Sequence, residues 1–256
     1  MNPRLQMRRL RRFFSACTIS GPGQEIVLEK NEAHHLRKTL RLGQGERCLV
    51  TDGKGKEAEA RIEGFFSDGR ARLILEKMIT PGDCISGLIL RAYVAVLQKN
   101  KLDYLIEKSQ ELGVQEFVPL ETQRTTVKMS EQSCKKVLLR WNKIAREAAK
   151  QSGSLELIKI SPPRSFEKSL SAVPSNEKIV IFHPQETAIP FSEWISPIQS
   201  ASPFNLFWGP EGGFTEKEID SAKRFSGCRV VNLGKRILKA DTAYLGVLAS
   251  LRFLFL

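Results

Sequence analysis

The spacing of hydrophobic and polar residues differs between two parts of the chain. Up to about residue 80, short apolar segments alternate with turn signals and predict β-strands at 25–28, 47–51, 57–62 and 70–75. Asp52-Gly53 is a strong hairpin signal between two of these strands. One helix-like stretch, 31–37, interrupts them. Short strands with a single helix predict a small β-barrel.

Beyond residue 85 the pattern predicts strands in alternation with longer helices. A mostly apolar run at 88–97 predicts a buried strand. Apolar residues at helical spacing predict helices within 102–112 and 137–148, a capping box of Thr215 and Glu218 opens another, and a last helix starts at about Thr242. The other predicted strands are 117–120, 178–182, 204–208 and 229–233.

This alternation predicts an α/β domain with a mainly parallel sheet, joined to the smaller β-rich domain. The segment Thr80-Pro81-Gly82-Asp83 is rich in turn formers and is the natural boundary. We therefore predict a domain at 1–80 and a second domain at 85–256.

The net charge of the chain predicts a polyanionic partner. The formal net charge is +12, and clustered Lys and Arg side chains favour phosphate groups because binding releases counterions. Residues 1–80 hold 16 basic and 10 acidic side chains, against 24 and 18 in the longer remainder. The denser charge of the first domain favours nucleic acid over a generally solvated basic surface.

The five cysteines are scattered, and none forms a C-x-x-C pair. The sequence therefore predicts neither a metal site nor a disulfide framework, and it favours a reducing compartment, the cytoplasm. No apolar run reaches the roughly 18 residues of a membrane span, so we expect no membrane association. The basic N-terminus is not followed by the apolar segment of a secretory signal.

Gly209-Pro210-Glu211-Gly212-Gly213 directly follows the predicted strand 204–208 and precedes the capped helix. Ligands of open α/β sheets bind at the carboxyl ends of strands, where glycines let the backbone approach closely. A plain strand-to-helix turn is the simpler interpretation. Five special residues exceed what such a turn needs, so we favour a ligand-binding loop.

A second loop, 234–243, lies between the last predicted strand and the last helix. The apolar Leu233, Ile237 and Leu238 would either pack a folded-back loop or form the wall of a pocket for a flat aromatic ligand. Asp241 or Thr242 would serve as no more than a helix N-cap under the first interpretation. The loop alone leaves both alternatives open.

Basic side chains also surround the helix-like stretch of the first domain. His34 and His35 lie near Arg37, Lys38 and Arg41. We predict that the basic residues contact phosphate groups, and neither histidine is a predicted catalyst. The nearby segment Gly53-Lys54-Gly55-Lys56 matches no phosphate-binding loop and is interpreted as a hairpin turn.

Taken together, these motifs resemble the RsmE family of 16S ribosomal RNA uracil-N3 methyltransferases, in the SPOUT superfamily. The resemblance covers nearly the whole chain, and the specific motifs are 209–213 and 233–243. Weaker matches lie at 11–14, 35–37, 108–114, Pro119, Arg124, 147–149 and 151–152.

The resemblance implies an N-terminal PUA-like RNA-binding barrel and a C-terminal trefoil-knotted α/β domain that forms a homodimer. It implies S-adenosylmethionine (SAM) as cofactor and one uridine in the decoding region of the small ribosomal subunit as substrate. The cofactor-binding positions carried over are Gly209, Glu211, Gly212, Gly213, Leu233, Gly234, Ile237 and Leu238.

The chain departs from the family pattern at several positions. Lys239 replaces the usual Arg, and Asp241 replaces the usual Glu. Ser154 stands where Arg usually follows 151–153, and Leu157-Ile158 lacks an expected proline. Arg and Lys are not equivalent where two hydrogen bonds are made together, so these departures bear on the substrate side of the site.

Methylation of a ring nitrogen requires positioning and removal of the N3 proton. We predict that Arg124, Lys239 and Arg236 stabilise the developing negative charge of the base. Glu211 or Asp241 would accept the proton, and Glu211 would alternatively only fix its loop.

For RNA binding by the first domain we predict Arg11, Arg12, Arg37, Lys38 and Arg41. Two other functions stay open. One is a knotted RNA methyltransferase with another target. The other is a non-catalytic RNA-binding or ribosome-assembly protein, which Ser154 and Lys239 would favour and the intact 209–213 motif argues against.

Overall fold

The computed structural model describes residues 10–79, 88–97, 101–125, 131–185, 187–196 and 203–254. Contacts divide the chain into two compact units. The first comprises Met1–Cys84 and Ala149–Leu157, and the second comprises Ile85–Ala148 and Ile158–Leu256. Each unit has its own hydrophobic core.

The first unit is built on a curled five-stranded sheet with the strand order β1-β3-β4-β5-β2. Its elements are β1 (Arg12–Phe14), β2 (Glu25–Leu28), α1 (Lys30–His34), a π-helical turn (His35–Thr39), β3 (Arg47–Thr51), β4 (Glu57–Phe65) and β5 (Ala71–Ile79). Strand β1 is parallel to β3, and the other neighbours are antiparallel. The strands and the helix predicted from the sequence are confirmed.

Alternate residues of these strands face one core. Ile26 and Leu28 of β2, and Leu73 and Leu75 of β5, are at most 1% exposed, while the residues between them are partly exposed. This alternation is what a sheet with one covered face requires. The turn from β3 to β4 contains Gly53 and Gly55, both in the left-handed region, so the predicted hairpin is confirmed.

Residues 149–157 also belong to the first unit, which sequence patterns did not predict. The Gly55 N–H donates to the Leu155 carbonyl at 3.1 Å, and the Leu157 N–H donates to the Gly53 carbonyl at 3.0 Å. Lys150 and Glu32 form an ion pair at 2.9 Å, with both side chains nearly buried. Such long-range contacts leave no signal in local periodicity.

The second unit contains an eight-stranded parallel sheet. Its helices are α2 (Lys101–Glu111), α3 (Glu131–Ser152), α4 (Phe166–Ser171), α5 (Phe191–Ile195), α6 (Glu216–Lys223) and α7 (Ala240–Leu254). The last turn of α3 lies in the first unit. The strands are β6 (Leu90–Ala95), β7 (Glu116–Glu121), β8 (Lys159–Ile160), β9 (Arg164–Ser165), β10 (Lys178–Phe182), β11 (Ile189–Pro190), β12 (Phe204–Trp208) and β13 (Cys228–Asn232).

These strands follow the order β11-β13-β10-β12-β6-β7-β8, and β9 also pairs with β7. All five residues of β12 are buried, as expected for a central parallel strand covered on both faces. One core cluster contains Leu206 and Trp208, and a second contains Phe207, so each face of the sheet has its own apolar layer. The predicted mixed α/β class with a parallel sheet is confirmed, and the trefoil knot stays a prediction.

Candidate active site

Four loops follow the carboxyl ends of strands of the second unit, three of them adjacent and the fourth, β7, separated from β12 by β6. They are 122–125 after β7, 183–185 after β10, 209–215 after β12 and 233–239 after β13. Because the strands are parallel, these loops lie along one edge of the sheet. That edge is where open α/β sheets bind ligands.

The loop 209–215, which we call the GPEGG loop, is tightly folded on itself. A Cβ atom on Gly209 would lie 3.0 Å from the backbone nitrogen of Phe214, so only glycine fits without a backbone shift. The Gly213 N–H donates to the Pro210 carbonyl at 2.8 Å. Gly213 itself has a φ of +69°, a conformation that glycine adopts without strain.

A buried glutamate ties this loop to the loop after β7. Glu218 is 2% exposed, and its carboxyl oxygens accept the N–H groups of Gln123 at 2.9 Å and Thr215 at 2.8 Å. The Thr215 hydroxyl in turn accepts the Glu218 N–H at 3.3 Å. The predicted capping box is therefore present, and it also anchors a second loop.

Arg124 lies directly beside this anchor. Its Nη1 donates to the carbonyl oxygen of Gly212, and a Cβ atom on Gly212 would lie 3.4 Å from the Arg124 side chain. The bond uses one of the five N–H donors of a guanidinium group. The structure therefore brings the predicted Arg124 onto the predicted cofactor loop.

Glu211 pairs with Lys101 of α2 at 2.6 Å, and both side chains are about half exposed. Burial by itself would raise the pKa of Glu211, but the hydrogen bond from Lys101 and its charge outweigh burial and lower that pKa. The same hydrogen bond, with the charges of Glu211 and Asp241, raises the pKa of Lys101. A carboxylate with a lowered pKa is a weaker proton acceptor.

Three side chains that the sequence analysis missed have unpartnered polar atoms at this edge. Within the described part of the chain, Trp208 Nε1, His183 Nδ1 and Gln185 Oε1 are buried and have no hydrogen-bond partner. Trp208 ends β12, and His183 follows β10. Such atoms at a strand edge are what a bound polar ligand would satisfy.

The imidazole of His183 packs against the GPEGG loop. Its Nε2 lies 3.3 Å from the Phe214 carbonyl oxygen, so Nε2 carries the hydrogen and Nδ1 of the neutral ring is an acceptor. Burial lowers the pKa of His183, and the charges of Arg124 and Lys223 act in the same direction against the opposing hydrogen bond to Phe214. Its position after a buried strand was the signal that could have indicated it.

The loop 233–239 is far less constrained. Residues 235–238 make no hydrogen bond to any other residue that the structure describes. Ile237 is 90% exposed and Leu238 is 41% exposed, although apolar side chains of this size are usually buried. Gly234 has a φ of +101° and open space around its Cα atom. This geometry favours a ligand-contacting wall over a folded-back, packed loop.

The polar candidates of this second loop lie at the start of α7. Helix α7 begins at Ala240, and the Lys239 carbonyl accepts the Ala243 N–H at 2.9 Å. Asp241 and Thr242 therefore lie inside the first turn, which excludes the alternative that one of them is only an N-cap. The predicted helix is present, and it starts two residues before Thr242. Arg236 and Lys239 are exposed.

The basic residues predicted to bind RNA lie in the first unit. Arg11, Arg37, Lys38 and Arg41 are exposed, and the Arg37 guanidinium lies 4.9 Å from the centre of the Phe65 ring. Arg12 differs, because its guanidinium pairs with the carboxyl group of Glu57, which is 4% exposed. That contact gives Arg12 a structural role in the sheet.

No group of three or more His, Cys, Asp or Glu side chains is placed to hold a metal ion in the described ranges. Likewise, no helix among the described residues is long and apolar enough to cross a membrane.

Ser154, where the family pattern has Arg, lies in the first unit. Its hydroxyl donates a hydrogen bond to the Glu156 carbonyl at 2.8 Å.

Two family models match the chain. Residues 88–252 match an RNA methyltransferase domain, and residues 28–76 match an RNA methyltransferase PUA domain. A ribosomal RNA small subunit methyltransferase E from a Synechocystis species is 30% identical over 230 residues, which cover 90% of this chain and 73% of the relative. The chain belongs to the ribosomal RNA small subunit methyltransferase E family. The family's Bacillus subtilis member is 29% identical and is matched over 87% of each chain.

Solved structures of the methyltransferase E family and its neighbours have the same fold. A Neisseria gonorrhoeae methyltransferase E bound to S-adenosyl methionine superposes with a TM-score of 0.83 at 29% identity, with 96% of this chain and 98% of that one covered. A Legionella pneumophila protein described as a methyltransferase, in complex with SAM, gives a TM-score of 0.84 at 26% identity, with the same coverage.

Proposed function

We propose that this chain transfers a methyl group from SAM to N3 of a specific uridine in 16S ribosomal RNA. The observation that carries the proposal is the GPEGG loop at the carboxyl end of β12, with Arg124 bonded to its Gly212 carbonyl. Membership of the methyltransferase E family supports RNA methylation. The choice of N3 and of the decoding-region uridine rests on the sequence motifs.

The residues at this edge fit SAM in their chemistry. The backbone of Gly209, Gly212 and Gly213 would lie against the cofactor, which a Cβ atom at Gly209 would prevent. Leu233, Gly234, Ile237 and Leu238 would form the opposite wall, where the exposed apolar side chains would cover the flat adenine ring. The free Trp208 Nε1 donor and His183 Nδ1 acceptor would satisfy polar atoms of the ligand.

The cofactor supplies the methyl group, and the chain must orient the uracil and stabilise the charge that develops when N3 loses its proton. Arg124 has further N–H donors beyond the one on Gly212, and these would bind a uracil oxygen. Lys239, with Arg236, would add positive charge from the other side. Cationic donors near the ring oxygens lower the pKa of N3, because they stabilise the deprotonated base.

Of the two carboxylates considered, we assign Glu211 to fixing its loop through Lys101. Its ion pair and lowered pKa make it a weak acceptor for the N3 proton. Asp241 makes no ion pair with another described side chain and lies in the first turn of α7, next to Lys239. We therefore propose Asp241 as the proton acceptor.

The first unit would hold the ribosomal RNA. Arg11, Arg37, Lys38 and Arg41 present exposed positive charge for phosphate contacts, whereas Arg12 would act by holding β1 through Glu57. The small ribosomal subunit is the proposed substrate particle and the cytoplasm the proposed location. We also propose a homodimer and a trefoil knot, as the family resemblance implies.

The decisive experiment is methyl transfer to small ribosomal subunits that lack the modification, with the product nucleoside identified by mass spectrometry. We expect N3-methyluridine. A different methylated nucleoside would replace the substrate assignment. If the protein does not bind SAM at all, the proposed enzymatic function is wrong and a non-catalytic RNA-binding protein becomes the better interpretation.

An Arg124→Ala variant tests the assigned chemistry within the same assay. We expect kcat to fall about 100- to 1,000-fold, the range seen when a charge-stabilising donor is removed. SAM affinity is measured separately by calorimetry, because Arg124 also contacts the cofactor loop. Unchanged turnover would remove Arg124 from the mechanism.

A further inference from the structure

Helix α3 carries an exposed face that is rich in positive charge, with the carboxylate of Glu147 at its C-terminal end. Between residues 132 and 146 this face contains five cations and no carboxylate, namely Lys135, Lys136, Arg140, Lys143 and Arg146. The opposite face packs against the core through Trp141 and Ala145, which are 2% exposed. We call these five residues, with the 75% exposed Leu139 among them, the α3 basic face.

The spacing places these side chains along one stripe. With 3.6 residues in each turn, Lys136, Leu139, Lys143 and Arg146 fall within an arc of roughly 80° and span about 15 Å. Lys135 and Arg140 flank the stripe. A line of charge of this length matches several successive phosphates of a nucleic acid strand.

Ordinary solvated helices of the same unit have a different pattern. On α2, Lys108 bonds the carboxyl groups of Glu107 and Glu111, at 2.7 and 2.8 Å. On α3, Arg140 pairs with Asp103 of the neighbouring helix at 2.8 Å. Within the helix itself, cations follow one another three or four residues apart, as in the series Lys136, Arg140, Lys143 and Arg146. Neighbouring like charges at this spacing destabilise a helix, and a bound polyanion would relieve that repulsion.

The face also lies next to the candidate active site within the second unit. Arg140 donates to Asp103 of α2 at 2.8 Å, and the same carboxyl oxygen accepts the Trp141 indole N–H at 2.9 Å. Two residues earlier on α2, Lys101 pairs with Glu211 of the GPEGG loop. The first turn of α2 therefore contacts both the basic face and the cofactor loop.

We propose that the α3 basic face binds the phosphate backbone of the substrate ribosomal RNA, in addition to the contacts made by the first unit. A two-fold contact with another copy of the chain fits less well, because it would set this face against itself and oppose cations with cations. The inference rests on the proposed function, since the ligand is the RNA that is methylated there.

The test compares two double variants that remove equal charge. Lys136→Gln/Lys143→Gln changes the α3 basic face. Arg224→Gln/Arg229→Gln changes two exposed arginines, one just after the end of α6 and one at the start of β13, near the amino end of that strand. Binding to unmodified 16S ribosomal RNA is measured at several salt concentrations, together with SAM affinity and Tm.

We expect the slope of log K against log salt to decrease by about 1.4–1.8 for the α3 variant, at 0.7–0.9 for each lost phosphate contact. Affinity at 0.1 M salt should fall by roughly 25- to 60-fold. SAM affinity should be unchanged, and Tm should not decrease because repulsion is removed. The control pair should keep the wild-type slope.

A wild-type slope in the α3 variant, or an equal loss in the control pair, would overturn the proposal and leave the proposed methylation standing. The same holds if light scattering shows that only the oligomeric state changes. If the wild-type chain neither binds SAM nor methylates subunits, the proposed function itself fails, which these separate measurements distinguish.

Discussion

The two loops that flank the candidate cofactor site differ in how they are held. The GPEGG loop is fixed by its own turn, by the buried Glu218 and by Arg124. The loop 233–239 exposes Ile237 almost completely. The comparison indicates that the chain pre-organises one wall of the site, whereas the other wall gains its main contacts from the ligand. Pre-organisation of one wall reduces the ordering cost of binding.

The largest effect should come from adding one methyl group to the fixed loop. In Gly209→Ala the Cβ atom would meet the Phe214 backbone, and a forced backbone shift costs about 1–3 kcal/mol. We expect SAM affinity, measured by calorimetry, to fall roughly 10- to 100-fold. Gly246→Ala on α7 is the matched control, because nothing lies within 4 Å of an added Cβ atom and its φ is outside the left-handed region. An equal loss in both variants would mean that the close approach of Gly209 to Phe214 is not the cause.

Glu218→Gln should weaken the anchor of the fixed loop. The amide keeps one oxygen but places an N–H₂ group against backbone donors, and an unsatisfied buried donor costs about 1–3 kcal/mol. We expect a loss of that size in the free energy of urea unfolding. Glu216→Gln changes an exposed side chain in the same helical turn and should stay within about 0.5 kcal/mol of wild type. Equal stability of the two variants would contradict the anchor.

Ile237→Ser tests the loop 233–239, where we expect a loss of SAM affinity without a loss of stability. Because the side chain is 90% exposed, unfolding free energy should change by less than about 0.5 kcal/mol. SAM affinity should still fall about three- to tenfold, since ligand binding would bury the side chain. A loss of stability without a loss of affinity would mean that Ile237 packs within the fold.

The smallest effect concerns pH and the imidazole beside the fixed loop. Burial lowers the pKa of His183 below its ordinary value of 6.5, so the native state binds fewer protons than the unfolded state below that pH. The stabilisation is therefore present above about pH 6.5 and is lost as pH falls through the native pKa. We expect the fall in Tm between pH 7.5 and 5.5 to be smaller in His183→Gln. An identical profile would contradict this role.

Local patterns were sufficient for most of the fold. Apolar runs predicted the central strands, and the capping box of Thr215 and Glu218 was read directly from its spacing. The predicted start of α7 was two residues late because Lys239, which carries no capping oxygen, precedes its first turn. The role of Arg12 was also hidden, since its partner Glu57 lies 45 residues away.

The sequence by itself determined the α/β class, the two apolar rhythms and the loop motif 209–213, because these depend on residues close together in the chain. Only the tertiary structure decided that residues 149–157 join the first unit and that Glu218 holds Gln123. It also decided that Lys101 forms an ion pair with Glu211 and that His183 packs against the GPEGG loop. These contacts join residues far apart in sequence, and no local periodicity records which distant partner satisfies a buried polar group.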